Sequence, residues 1–295
     1  MPVRALQSKT LKKPVAKSSR PVSDGRTPAL DDGGLLRSIT DIPEDRNFVS
    51  ALARGLAVLH SFSDRKRRMS IADVSNRTGI ARATVRRSLY TLEKLGYVVE
   101  DESRRFFLRP KVLAFGHAYL SATPIALLAQ PVLDRLSDKL QEPCSLAVLE
   151  RDEIIYVARS TSSRIMSPTL NVGRRLPAYC TSIGRVVLAQ HPDSDLEAYL
   201  ARVQFHAYTP HTVTSREELR RVFKTARQAG YAIADQQMEP HFRTMAVPVR
   251  DTLGAVVAGI NVIIQNERLS AQQMTNRFLA PLQLAAGELG MCLLP

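Results

Sequence analysis

The sequence predicts an α+β fold in two parts: a small N-terminal helical domain with a β-hairpin, and a larger C-terminal domain with a largely antiparallel sheet. Two patterns support this prediction. Three short amphipathic helices and a hairpin follow one another within residues 46–109, and strands alternate with helices after residue 124. The predicted strands are more numerous than those of an α/β sheet built only from crossover connections. A length of 295 residues suits two domains.

Residues 1–45 are predicted to form a disordered tail. Lys, Ser, Pro, Asp and Gly dominate this segment, so little apolar surface is available to offset the entropy cost of ordering it. Residues 1–20 hold six basic and no acidic side chains. This basic start either contacts an anionic partner or is simply solvated.

The positive charge of the chain is concentrated in its first third. The net charge is +13; residues 46–111 hold fifteen basic and six acidic side chains, whereas residues 112–295 hold eighteen and sixteen. A basic segment of domain size beside a near-neutral one is typical of a polyanion binder joined to a second module. Charge alone leaves open the alternative of a merely solubilising surface.

The first helix is predicted over residues 47–62, with Ser50 as its N-cap. Apolar side chains recur there at helical spacing, so they are expected to form one buried stripe. That stripe comprises Phe48, Leu52, Leu56 and Leu59.

A second and a third helix follow in the order of a helix-turn-helix. Ser70 to Asp73 has the form of a capping box that starts the second helix, and Gly79 supplies the positive φ of a tight stop. The third helix is predicted from about Ala81 to Gly96. Its expected buried stripe comprises Val85, Leu89, Leu92 and Leu95. Strand-like segments 97–99 and 106–108, separated by a charged turn, then predict a hairpin.

Three helices and a hairpin within a basic segment are typical of a winged helix-turn-helix, so residues 46–109 are predicted to bind double-stranded DNA. A helix fits the major groove, and arginine binds guanine through two hydrogen bonds, so Arg82 and Arg86 are the predicted base contacts. The alternative is that these arginines form a solvated helix face. The predicted DNA contacts are Ser70, Arg77, Arg82, Thr84, Arg86, Arg87, Tyr90, Arg104 and Arg105.

The rest of the chain is divided at Pro124. A helix over residues 111–121 is predicted to lie in a linker, 110–123, and the C-terminal domain to occupy 124–295. Helices are predicted at 125–140, 182–190, 194–202, 215–229 and 270–291. Strands are predicted at 144–150, 153–159, 165–170, 244–250 and 255–264.

Several classes of protein do not fit this sequence. Cys144, Cys180 and Cys292 are widely spaced and form no CxxC pair, which argues against a disulfide framework or zinc site and for the reducing cytoplasm. No apolar run of about 18 residues that would span a membrane occurs, and the N-terminus lacks the apolar core of a secretory signal.

An enzyme is not expected, and no cofactor or metal is predicted. The motifs of a nucleophile elbow, a phosphate-binding loop, a dinucleotide site and a zinc protease are absent from the sequence. His206 and His211 have a spacing that suits metal binding poorly. An architectural DNA-binding protein is a further alternative, but it would not need the large near-neutral domain.

Three stretches show a resemblance to a known family. They are residues 48–98, LPAYCTSIGRVVLA at 176–189, and GYAIADQQMEPHFRTMAVPVRD at 230–251. Over residues 47–292 the chain resembles the IclR family of bacterial regulators, and in particular the subgroup controlling protocatechuate, 4-hydroxybenzoate and β-ketoadipate catabolism. The resemblance implies an effector-responsive regulator with a GAF-like C-terminal domain. It also implies a linker helix that mediates dimerisation, in dimers or dimers of dimers.

Matched residue by residue, the resemblance also implies an effector cavity. Its lining would comprise Thr181, Ser182, Ile183, Ala234 or Asp235, Phe242, Thr244, Asn261 and Ile263. The expected effector is a small carboxylate: 4-hydroxybenzoate, protocatechuate or β-ketoadipate. The sequence departs from the usual family signature, where acidic residues are common at Ala234, Gln236 and Gln237, glycine at His241, and cysteine or serine at Thr244.

The residues themselves also favour an anionic effector. Ser182 lies near a predicted helix start, where backbone N–H groups favour a carboxylate. Arg159, Arg164 and Arg243 are candidates for pairing with it, Arg164 being the one chosen, and surface salt bridges are the alternative. Tyr179 and Phe242 either stack on an aromatic ring of the effector or pack in the core.

An effector can regulate the protein only if it binds two conformations of it with different affinity. The choice between activator and repressor is open.

Overall fold

The structure, a computed structural model, describes residues 46–62, 67–160, 171–265 and 267–293. The N-terminal domain contains helices α1 (Ser50–His60), α2 (Ile71–Thr78) and α3 (Arg82–Lys94), followed by an antiparallel hairpin of β1 (Val98–Glu100) and β2 (Phe106–Leu108). Its core is one cluster of apolar side chains drawn from all of these elements. The cluster is centred on Val58, Met69, Val74, Val85, Leu89, Val98 and Phe106. The predicted winged helix-turn-helix is therefore confirmed as a fold.

Two details of these helices differ from prediction. Leu52 and Leu56 are 63% and 48% exposed, and α1 instead buries Ala57 and Val58. Of the predicted stripe, Leu59 packs against the core, whereas Leu52 and Leu56 lie on the surface of the single chain. Val49, not Ser50, is the N-cap residue, and it makes no side-chain cap. Leu95 follows the end of α3 and is exposed.

A short 3₁₀ turn, Pro110–Val112, leads into α4 (Leu113–Ala122), which buries none of its residues. The helix is attached to the N-terminal domain at its start. Tyr97 and Phe115 stack with ring centroids 5.5 Å apart, and the Lys111 ammonium donates to the Leu95 carbonyl at 2.9 Å. The predicted linker helix thus exists, with both ends one or two residues later than predicted.

The C-terminal domain is built on a six-stranded sheet in the order β5-β4-β3-β8-β7-β6. All paired neighbours are antiparallel, as predicted. The strands are β3 (Cys144–Glu150), β4 (Glu153–Ser160), β5 (Arg175–Pro177), β6 (Ala232–Asp235), β7 (Phe242–Arg250) and β8 (Val256–Gln265). The short edge strands β5 and β6 were not predicted, and the predicted strand at 165–170 lies outside the described residues.

Helices cover both faces of this sheet. On one face α5 (Pro124–Leu140) and α9 (Ala271–Met291) pack over a core that includes Leu133, Val262 and Phe278. On the other lie α6 (Ser182–Leu188), α7 (Asp193–Arg202) and α8 (Arg216–Ala229), with a 3₁₀ turn, Ala178–Cys180, before α6. In the described part of the chain, no single helix is long and apolar enough to span a membrane. The segments 110–122 and 124–140 meet that test only as a pair bent by 83°.

Two glycines allow α6 to lie directly against its neighbours. A Cβ on Gly184 would stand 2.2 Å from the Ala178 carbonyl oxygen, and one on Gly259 would stand 2.8 Å from Ile183 Cγ2. No real Cβ tolerates either distance. The 3₁₀ turn, the start of α6 and strand β8 are therefore held close together, and a cavity lies beside this junction.

Candidate functional site

The first candidate site is the outer face of α3. Val85, Leu89 and Leu92 fix the inner face of the helix in the core. Arg82, Arg86, Arg87 and Tyr90 are exposed on the opposite face, and Thr84 is half-buried beside them. The three arginines form no ion pair or side-chain hydrogen bond with any described residue. They are therefore available to an external anion.

Helix α2 lies before α3 and has both predicted end signals. The Ser70 hydroxyl accepts from the Asp73 backbone N–H at 3.2 Å, the Ser70 N–H donates to Asp73 at 2.9 Å, and Gly79 has φ of 70°. The Ser70 hydroxyl also donates to the Asp73 carboxylate at 2.8 Å, so it is already engaged. Arg77 is half-buried in the last turn and has interactions within the chain.

The hairpin turn is organised by Asp101. Its carboxylate accepts from the backbone N–H groups of Ser103 and Arg105, each at 3.0 Å, and pairs with Arg68 at 2.5 Å. These interactions, the Arg105 backbone hydrogen bond foremost, lower the pKa of Asp101, which is therefore ionised at neutral pH. Arg104 at the tip has φ of 56°. Arg104 and Arg105 are both exposed, on the side of the domain where β1 and β2 turn.

The second candidate site is a cavity in the C-terminal domain. It lies between the end of the 3₁₀ turn, the start of α6, the segment after β6, and strands β4, β7 and β8. Its volume is about 500 Å³, including its opening to solvent. Its wall comprises Tyr156, Leu176, Cys180, Thr181, Ser182, Ala234, Gln237, Met238, Glu239, Phe242, Thr244, Asn261 and Ile263.

Most of the predicted effector residues are brought together in this wall. Thr181, Ser182, Phe242, Thr244, Asn261 and Ile263 all line it, and so does Ala234. Ile183 does not, because it is fully buried against Gly259. Asp235 points to the other side of β6, where it pairs with Arg243 at 2.7 Å. Arg243 also donates to the Leu269 carbonyl.

Arg164 lies outside the described residues, and Tyr179 packs in the core beneath the cavity with its hydroxyl 2.7 Å from the His206 carbonyl oxygen.

Six wall residues were not predicted from the sequence: Tyr156, Leu176, Cys180, Gln237, Met238 and Glu239. For Tyr156, a signal existed in the alternation of side chains along β4, which places it on the same face as Ile154. For Gln237 to Glu239 no such signal existed, because they follow β6 in irregular backbone, where side-chain direction has no period.

Polar atoms without partners face the cavity. Within the described residues, Ser182 Oγ and Asn261 Oδ1 are buried and have no hydrogen-bond partner. Burial raises the pKa of the Tyr156 phenol to about 12, so this group is neutral and able to donate. An unsatisfied buried polar atom costs about 1–3 kcal/mol, which a bound ligand can recover.

The charged residues stand at the edge of the cavity. Glu239 is 4.0 Å from the Arg174 guanidinium. Arg159 is half-buried nearby, and burial is the first cause of its lowered pKa. Two cations therefore lie just outside the wall at this end, close to the one carboxylate that lines it.

Two further features bear on the chemistry. Burial raises the pKa of the Cys180 thiol to about 12, and its sulfur is 2.9 Å from that of Met238, so this thiol is protonated and part of the packing. No group of three or more His, Cys, Asp or Glu side chains that could hold a metal ion occurs in the described ranges. The arrangement suits reversible binding of a small molecule.

Comparisons with known proteins agree with this geometry. A family model described as IclR helix-turn-helix domain matches residues 51–102, and one described as Bacterial transcriptional regulator IclR C-terminal matches residues 117–290. The chain is 46% identical to the Pca regulon regulatory protein of Pseudomonas putida, covering 92% of each chain. It is 32% identical to the p-hydroxybenzoate hydroxylase transcriptional activator of Acinetobacter baylyi, covering 82% of this chain and 91% of that one.

Two solved structures are similar as well. A transcriptional regulator from Rhodococcus sp. RHA1 has a TM-score of 0.71 and 40% identity, covering 83% of this chain and 98% of its own. The PobR inducer-binding domain from Acinetobacter, a double mutant in complex with 3-hydroxybenzoic acid, has a TM-score of 0.55 and 27% identity. That match covers 57% of this chain and 98% of the domain.

Proposed function

We propose that this chain, which belongs to the IclR family of bacterial transcriptional regulators, controls genes of aromatic acid catabolism in response to a small carboxylate effector. The DNA-binding half of this proposal follows from the family and the exposed face of α3. The effector half depends mainly on one observation: a largely apolar cavity faced by two buried atoms without hydrogen-bond partners, Ser182 Oγ and Asn261 Oδ1.

The DNA-binding residues are assigned by exposure and charge. We assign base contacts in the major groove to Arg82 and Arg86, with Arg87, Thr84 and Tyr90 beside them. Arg104 and Arg105 on the hairpin tip are positioned to contact phosphates or the minor groove. We assign phosphate contacts to Ser70 and Arg77 at the two ends of α2, where Ser70 forms the capping box and Arg77 has interactions within the chain.

The cavity suits a hydroxylated aromatic acid or an acid of similar size. Phe242 and Tyr156 provide ring surfaces, while Ser182, Thr244 and Asn261 provide hydrogen-bonding groups. The relative that binds 3-hydroxybenzoic acid and the activator of p-hydroxybenzoate hydroxylase support an effector of this class. 4-Hydroxybenzoate, protocatechuate and β-ketoadipate are therefore the compounds to test. A regulator of another small-acid pathway is the second candidate.

The regulator is proposed to act in the cytoplasm as a homo-oligomer, a dimer or a dimer of dimers. The exposed apolar side chains of α4, Leu113 and Phe115 among them, support this proposal because a solvated helix rarely presents several. Domain limits of 46–109 and 124–295, joined by 110–123, agree with the positions of the two cores.

The test is ligand-induced thermal stabilisation of the full chain by the three acids, because a ligand that binds only the folded state raises stability as RT ln(1 + [L]/Kd). We expect one clear responder and an altered affinity for operator DNA in its presence. A protein that binds DNA but responds to none of the three acids would retain the family assignment and lose the aromatic acid proposal.

A further inference from the structure

The wall of the effector cavity contains no cation. Among the residues that line it in the described part of the chain, Glu239 alone is charged, and its charge is negative. A carboxylate entering this space meets hydroxyl, amide and apolar groups. Among the described residues, positive charge that favours an anion therefore comes either from Arg159 and Arg174 at the edge of the cavity or from behind its wall.

A buried guanidinium stands there. Arg185 of α6 is 4% exposed, and each of its three hydrogen bonds goes to a neutral oxygen: Nε to the Tyr179 carbonyl at 2.8 Å, Nη1 to the Ile233 carbonyl at 3.3 Å, and Nη2 to Gln237 Oε1 at 2.6 Å. Within the described ranges no carboxylate lies within 4.0 Å of it. Burial lowers its pKa to about 10, partly opposed by Glu218, so it remains charged at neutral pH.

Gln237 connects this charge to the cavity. Its Oε1 accepts from Arg185 and from the Val213 N–H at 3.0 Å, and its Nε2 donates to the His211 carbonyl at 2.6 Å. These partners fix the orientation of the amide, because only oxygen suits two donors and only nitrogen suits a carbonyl. Gln237 is also one of the residues that line the cavity. One amide therefore separates the guanidinium from the bound ligand.

We infer that Arg185 is the residue that makes the cavity selective for anions, acting through Gln237 and without touching the effector. A charge buried in protein is poorly screened, so its field reaches across one side chain. An uncompensated buried cation is costly by itself, and a bound carboxylate reduces that cost. The inference rests on the proposed function, because it assumes a carboxylate effector in this cavity.

The experiment compares an acid with its neutral isostere. Dissociation constants of 4-hydroxybenzoate and 4-hydroxybenzamide are measured by calorimetry on the full chain. In the wild type we expect the acid to bind at least about tenfold more tightly than the amide. Arg185→Met should lower affinity for the acid about tenfold and leave that for the amide unchanged. Arg185→Lys disturbs the same hydrogen bonds but keeps the charge, so it should keep most of the preference.

Arg159→Met is the control, because Arg159 is a half-buried arginine at the edge of the same cavity. This variant should keep the preference for the acid, and it also tests the inference if Arg185→Met does not fold. Loss of the preference in Arg159→Met, or an unchanged preference in Arg185→Met, would overturn the inference and leave the proposed function intact. Failure of the wild type to bind 4-hydroxybenzoate, protocatechuate and β-ketoadipate would contradict both.

Discussion

Arginines in the two halves of the molecule are held in opposite ways. On α3, Arg82, Arg86 and Arg87 are exposed and have no partner among the described residues. In the C-terminal domain most are committed to the chain itself: Arg175 to Glu153 and Arg202 to Asp152, each at 2.6 Å, and Arg227 to Asp193 at 2.7 Å. The net charges of the two segments, strongly positive and almost neutral, reflect the same difference.

This difference indicates where each half finds its counter-charge. Unpaired exposed cations repel one another and are tolerated where a polyanion supplies the compensation. Paired cations contribute little to any outside ligand. A basic composition therefore identifies the DNA-binding half. In the effector-binding half most arginines are paired, and the inferred charge of the ligand depends instead on one exception, Arg185, which is buried and forms no ion pair with a described residue.

The largest effect is expected from removing the unpaired arginines. Arg82→Ala and Arg86→Ala should each weaken operator binding by roughly 1–3 kcal/mol, because each is assigned a guanine contact. Gel-shift titration at fixed salt measures the change, and thermal melting should be unaffected. Equal loss on operator and random DNA would contradict base readout and reassign these arginines to phosphates.

Gly184→Ala should disrupt the effector-binding half alone. Its new Cβ would overlap the Ala178 carbonyl, and such overpacking typically costs about 1–3 kcal/mol. The melting temperature of the C-terminal domain and the effector response should fall together.

Gly287→Ala is the matched control for that variant. It also lies within a helix but has no atom within 4 Å of the new Cβ, so it should leave stability unchanged or raise it. A stable Gly184→Ala variant with normal effector binding would mean that α6 does not pack on the turn as described.

Ser70→Ala should have the converse, smaller effect on the DNA-binding half. It removes the hydroxyl of the capping box at α2 and should cost about 1 kcal/mol. Chemical denaturation followed by a probe in each domain would measure it. Ser70→Thr, which keeps the hydroxyl that accepts from the Asp73 N–H and donates to its carboxylate, should restore stability, and equal loss in both variants would show that the cap is not the cause.

Local signals in the sequence predicted the two domains, the capping box, Gly79 and nearly all the long helices and strands. The errors have physical causes. The α1 leucines follow helical periodicity but belong to a surface that the single chain does not cover, and periodicity cannot tell which partner a stripe faces. The edge strands β5 and β6 are three and four residues long, too short for an alternating pattern to be detected.

Only some residues of the cavity wall were predicted from the sequence, and those that were not predicted share a cause. Ser182 and Asn261 lie on regular elements, where resemblance and spacing locate them. Gln237 and Glu239 lie in irregular backbone. Arg185 donates to three neutral oxygens, of Tyr179, Ile233 and Gln237, that no sequence pattern brings together.

The smallest effect is expected from breaking a surface ion pair of the effector-binding half. Arg220 donates two hydrogen bonds to Glu197, at 2.6 and 2.7 Å, and the interaction lowers the pKa of that carboxyl. Both side chains are about half exposed, so solvent competes for them and holding them together costs side-chain entropy. Arg220→Ala should therefore change neither the melting temperature, nor effector affinity, nor operator binding measurably. A loss of operator binding equal to that of Arg82→Ala would show that paired and unpaired arginines serve DNA alike, and the contrast between the two halves would fail.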